Sequence, residues 1–170
     1  PEVLIWEEQL LGDWLDEEHQ EEEGDTLRDS WIFTANDDQS YALRQVDGQG
    51  RWARFQVHMV ELDGRRYLDF FPEEGEGLNE ANDILSLHLF PTHTFAKVEF
   101  VEGKTYIYLF DHERLEKLIK QGKIRIRHER REDELLLTAS TPELQLFISK
   151  YGHEKAAYVD PIVLNRWSAE

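Results

Sequence analysis

The sequence predicts a mainly β protein, an antiparallel barrel with helices at its periphery, and three observations lead there. Short β-prone runs recur at a spacing of about ten residues, separated by Asn, Asp, Gly and Pro turn formers. One of them, Arg51–Leu62, alternates Ala53, Phe55, Val57 and Met59 with Trp52, Arg54, Gln56 and His58, the period of a strand with one buried face. The chain also carries five Trp, six Tyr and nine Phe, bulky groups that suit a half-buried sheet better than a helix bundle.

The elements follow in order. Residues 2–11 read as a short amphipathic helix stopped by Gly12, and Asp13-Trp14-Leu15 opens an extended segment. Seven of the ten residues from Asp16 to Asp25 are acidic, so this run reads as a solvated loop, without the ligand spacing of a calcium loop. Ser30–Thr34 and Tyr41–Val46 are strands across Asn36-Asp37-Asp38. Asp47-Gly48 and Asp63-Gly64 bracket Arg51–Leu62, and Tyr67–Phe71 follows the second of these turns. Ile84–Phe90 and Thr94–Val101 are strands divided at Pro91, and Glu102-Gly103 turns the chain into Thr105–Phe110. Asp111 caps a helix near 111–121, with Leu115, Leu118 and Ile119 on one face and Gly122 as its stop. Lys123–Arg130 and Glu134–Thr138 form a hairpin. Thr141 caps a helix near 141–152, in which Leu144, Phe147, Ile148 and Tyr151 make the stripe that lies on the sheet. The count is about eight to ten strands. Residues 1–170 form one domain, with a core over 10–152 and an appendage over 153–170, of which Val159–Leu164 packs back on the body.

Composition removes several functions. A net charge of −17 opposes non-specific binding to nucleic acid or anionic membranes. The absence of cysteine excludes disulfides, thiol catalysis and thiolate metal sites. No apolar run is long enough for a membrane-spanning helix. No signal peptide is visible, and the first residue is Pro1 rather than Met, which leaves open an upstream leader or lipid-attachment segment.

Gly12-Asp13-Trp14 after a short N-terminal helix resembles the Gly-x-Trp opening of lipocalin-like barrels. The resemblance implies that Trp14 plugs the barrel base beneath a basic side chain from a late strand, for which Arg125 and Arg127 are the candidates. A longer likeness runs through Leu10–Trp14, Tyr67–Pro72, Leu87–Phe95 and Leu136–Gln145. It is similar to a family of uncharacterised bacterial lipocalin-like proteins, often exported or lipid-anchored, and covers most of residues 10–150. The family implies a fold and a periplasmic or cell-envelope location, but no catalytic residues. The long acidic run and the tail after residue 152 depart from its pattern.

Few residues point to chemistry. His88 and His93 flank a Pro-containing turn, with Asp69 and Glu99 on neighbouring strands and His58 as a third imidazole, a set able to hold zinc. The alternative is that these imidazoles satisfy backbone or carboxylate groups near the barrel rim. No Gly-x-Ser-x-Gly elbow or phosphate-cradling loop is present, and no cofactor is implied. Phe55, Met59, Phe70, Val98, Phe100 and Ile107 are candidates to line a pocket for a small apolar ligand, or else to fill the barrel. Residues 114–131 hold eight of the 19 basic side chains. That makes them a candidate docking surface for another protein or for a second copy's acidic 16–25 run. The expectation is a non-enzymatic lipocalin-like domain, an interaction module or a small-ligand binder. The alternative is a metal-dependent or hydrolytic enzyme centred on His88 and His93.

Overall fold

The alternation in Arg51–Leu62 becomes the strand on which the architecture turns. The computed structural model describes residues 3–17, 28–73, 92–131 and 134–167. Its strands are β1 (Val3–Leu4), β2 (Gly12–Asp16), β3 (Ser30–Ala35), β4 (Tyr41–Val46), β5 (Trp52–Leu62), β6 (Arg65–Pro72), β7 (Thr94–Val101), β8 (Lys104–Leu109), β9 (His128–Arg131), β10 (Glu134–Leu137) and β11 (Ile162–Arg166). The helices are α1 (His112–Lys120) and α2 (Thr141–Tyr151), with short 3-10 turns at Glu8–Leu10 and Lys155–Ala157.

Strands β2 to β8 form an antiparallel meander. β5 pairs with β4 through Trp52–Val57 and with β6 through Phe55–Leu62. β11 returns from the end of the chain to sit between β8 and β2, which closes an eight-stranded barrel. Closure leaves no open edge among the barrel strands. Phe55, Val57 and Met59 point inward with Phe33, Leu43, Leu68, Val98, Ile107 and Leu164 as one core. The segment read as an appendage therefore contributes a barrel strand. Its signal was weak because five residues with one central buried position, Leu164, carry little alternation.

Three local readings change. Residues 2–11 are not one helix. Val3–Leu4 pairs with Val60 and Glu61 of β5, and only Glu8–Leu10 turns as a 3-10 helix. The N-cap of α2 is Ser140, one residue before Thr141. Its backbone and hydroxyl both donate to Glu143 Oε2, at 2.9 and 2.7 Å, a capping box that places Pro142 inside the first turn. The Asp111 cap of α1 stands as read, accepting from the Arg114 backbone at 2.9 Å. The hairpin after α1 is shorter than expected and forms a two-stranded sheet of its own, β9 with β10. The expected strand Ile84–Phe90 and the acidic 18–25 residues lie outside the described residues.

Helix α2 lies on the outer face of the barrel, where Ile148 and Phe147 pack on Val60, Leu62, Tyr67, Phe95 and Phe110. Gly152 lets the helix end seat there. A Cβ at this position would come within 2.6 Å of both the Tyr67 hydroxyl and the Ile148 carbonyl. The Tyr158 hydroxyl donates to Gly152 O at 2.7 Å, which ties the following turn to the same spot. Burial pushes the Tyr158 hydroxyl well above the ordinary tyrosine pKa.

Candidate functional site

The pairing registers place Gly12, Ala35, Tyr41, Leu62, Arg65, Val101, Lys104 and Arg166 toward one end of the barrel. The N-terminal segment plugs that end. Leu10 and Trp14 are buried, and the Trp14 indole N–H donates to Leu10 O at 2.9 Å. Trp6 stacks flat on Tyr41 with 4.3 Å between ring centroids, and the Glu7 backbone donates to the Tyr41 hydroxyl at 2.8 Å. The cation over Trp14 is Arg166, 4.5 Å from the ring centroid, which also donates to Leu11 O and Gln9 O at 3.0 and 2.8 Å. Neither Arg125 nor Arg127 fills this role. The correction follows from β11: its register sets Arg166 opposite Trp14, whereas residues 124–127 run outside the barrel. Gly12 serves the plug twice. Its φ is +117°, and a Cβ there would meet Arg166 Nη1 at 2.8 Å.

Toward the opposite end, Trp31, Phe55, Leu109 and Ile162 are half-buried against the core. Trp31 and Phe55 meet Phe70 edge-on at 6.3 and 6.4 Å. The six side chains expected to line a pocket all belong to one cluster. Met59, Phe70, Val98 and Ile107 are buried in it, and Phe55 and Phe100 pack against it from its two ends. Thr105 Oγ1 is buried within the same interior and has no hydrogen-bond partner among the described residues.

His88 lies outside the described residues. His93 Nδ1 faces both carboxylate oxygens of Asp69 at 2.8 and 2.9 Å, and its ring lies 4.6 Å from that of Phe71. His58 sits across from Asp69 in the β5–β6 register. Glu99 is not part of this patch. It lies toward the far end of β7, bound to Lys97 at 3.0 Å and to the Tyr108 hydroxyl at 3.2 Å. Among the described residues no group of three or more His, Asp or Glu is placed to hold a metal ion.

A wide concavity lies outside the barrel. Helix α1 ends at Gly122 in the left-handed region, φ 69°, and residues 123–127 continue outside any helix or strand. Lys123 and Ile124 both donate to Leu118 O, at 3.0 and 3.3 Å, and Ile124 is buried. Thr138 donates to Arg127 O at 3.0 Å, where the β9–β10 hairpin begins. Between Lys123–His128 and α2 runs a groove of about 990 Å³. Its apolar lining includes Ile124, Ile126, Leu146 and Phe147, and Leu146 is 72% exposed. Lys123, Arg125, Arg127, His128 and Lys150 stand around it, with Glu143 the one acidic lining residue. Arg127 approaches Glu143 loosely, at 3.9 Å.

The basic stretch 114–131 was legible in the sequence, but Leu146 was not singled out. The signals that point to it are an apolar residue off the inward stripe of α2 and the alternation of Ile124 and Ile126 with Lys123, Arg125 and Arg127. The closed eight-stranded antiparallel barrel agrees with the lipocalin-like expectation for the fold. No known protein family, curated protein or solved structure matches this chain.

Proposed function

We propose that this protein is a non-enzymatic, lipocalin-like interaction module whose barrel is the scaffold and whose binding face is the groove beside α2. One observation carries the reading: a groove of about 990 Å³ lies outside the barrel, lined by an exposed Leu146 and ringed by cations. An apolar surface rimmed by polar groups is costly to leave bare and marks a contact site. The bacterial lipocalin-like family and a cell-envelope location remain parts of this proposal, and fractionation of cells making the full-length protein tests the location.

A second reading, a small apolar ligand inside the barrel, draws on the half-buried Trp31, Phe55, Leu109 and Ile162 and on the unpartnered Thr105 hydroxyl. One probe separates the two. Anilinonaphthalene sulfonate is both aromatic and anionic, and amide chemical shifts report where it binds. Shifts confined to residues 119–128 and 143–151 support the module. Shifts centred on residues 31, 55, 70 and 109, together with a co-purifying lipid in native mass spectra, replace it with the carrier.

A further inference from the structure

We infer that the groove takes an extended, acidic segment of a partner protein that carries apolar side chains and lies alongside residues 124–127. This rests on the groove being the binding face. Three features of the same few residues specify the occupant.

The first is the backbone. Among the described residues, the N–H groups of Arg125, Ile126 and Arg127 and the carbonyls of Ile124 and Arg125 have no hydrogen-bond partner, while Ile126 O accepts from His128 Nδ1. The exposure of Lys123, Arg125 and Arg127 alternates with the shielding of Ile124 and Ile126, the pattern of an extended run, and its Ile124 carbonyl and Ile126 N–H share an edge that can pair with one more strand. The second is charge. Among the described residues, Arg125 and Lys123 are exposed and make no ion pair, and Lys150 lies 5.1 Å from the Tyr151 ring. Four permanent cations around a groove with a single carboxylate select an acidic occupant, in a chain whose net charge is −17. The third is the apolar lining. Leu146, Phe147 and Ile126 lie between the cations and favour alternate apolar residues over an all-charged segment.

These features also separate the rival occupants within this chain. A second copy's 124–127 run brings the same cations and is repelled. A second copy's 16–25 run is acidic but has no apolar residue between Asp16 and Asp25, so it satisfies the cations and leaves Leu146 bare.

The test is fluorescence anisotropy of the full chain with a labelled peptide of about ten residues in which Glu alternates with Val or Leu. Controls are the same peptide with Lys for Glu, a version N-methylated along one edge, and a peptide of residues 16–25. Expected are binding of the Glu peptide alone, weakening with added salt, and loss of affinity on N-methylation. Arg125→Glu with Arg127→Glu, and separately Leu146→Asp, lower affinity at least about tenfold with unchanged melting. Equal binding of the Lys peptide, or indifference to these substitutions, overturns the acidic-segment assignment. Equal binding of the 16–25 peptide overturns it in favour of self-association. If the naphthalene probe still maps to the groove, the binding face survives such a failure; if it does not, the face falls as well.

Discussion

The plugged end of the barrel and the groove beside α2 both place an arginine near aromatic and aliphatic side chains, and they use it in opposite ways. At the plug, Arg166 covers Trp14 and spends two of its N–H groups on Leu11 and Gln9 carbonyls. In the groove, Arg125 has no partner among the described residues and Arg127 has one distant carboxylate. The plug buries Leu10, Trp14 and Tyr41, whereas the groove leaves Leu146 exposed. Satisfied polar groups around buried aromatics are what stability requires, and unsatisfied ones around an exposed leucine are what binding requires. The difference locates folding energy at one place and recognition at another.

The sharpest way to break this contrast is at the plug. Trp14→Ala removes a buried indole and its hydrogen bond, and is expected to cost about 3–5 kcal/mol in urea unfolding. A loss under about 1 kcal/mol would mean that the plug does not hold the barrel. Arg166→Ala should cost about 1–3 kcal/mol through the lost stacking and carbonyl contacts. Arg125→Ala and Arg127→Ala should each stay within about 0.5 kcal/mol. Equal costs for the three arginines would erase the distinction between the regions.

Gly152→Ala tests the seat of α2. With Tyr67 and Ile148 O so close, overpacking should cost about 1–3 kcal/mol and loosen the groove wall. Amide exchange along 141–151 should then quicken. Leu146→Asp is the counterpart, expected to leave stability within about 0.5 kcal/mol because its side chain is already in solvent.

The smallest effect is one of pH. Hydrogen bonds from the Ser140 backbone and hydroxyl hold the Glu143 carboxyl below its ordinary value. A pKa lowered by folding adds stability above the unfolded value, and that stability is lost as pH falls through the folded one. The melting difference between wild type and Glu143→Ala should therefore shrink between about pH 6 and about pH 3. A difference constant across that range would remove the capping role.

How much of this was legible in the sequence varied by element. The alternation of β5, the caps and stops of α1, and the Gly12-Asp13-Trp14 opening were all readable, because each is a local pattern with a local cause. Of the residues proposed to carry chemistry, Asp69 and His93 do meet, since Asp69 in β6 pairs with Phe95 and His93 stands just before β7. Glu99 does not join them, because six residues along a strand carry it to the far end of β7.

By itself, the sequence determined the mainly β class, strands β3 to β8, the two helices α1 and α2 and the basic stretch after α1, since period, capping and charge act between near neighbours. Only the tertiary structure decided which strand closes the barrel, which arginine covers Trp14, and that residues 124–127 face α2 across a groove. Those outcomes join positions such as Trp14 and Arg166, or Lys123 and Lys150. Contacts at such separations are set by register and closure, and neither is written in any local stretch of the chain.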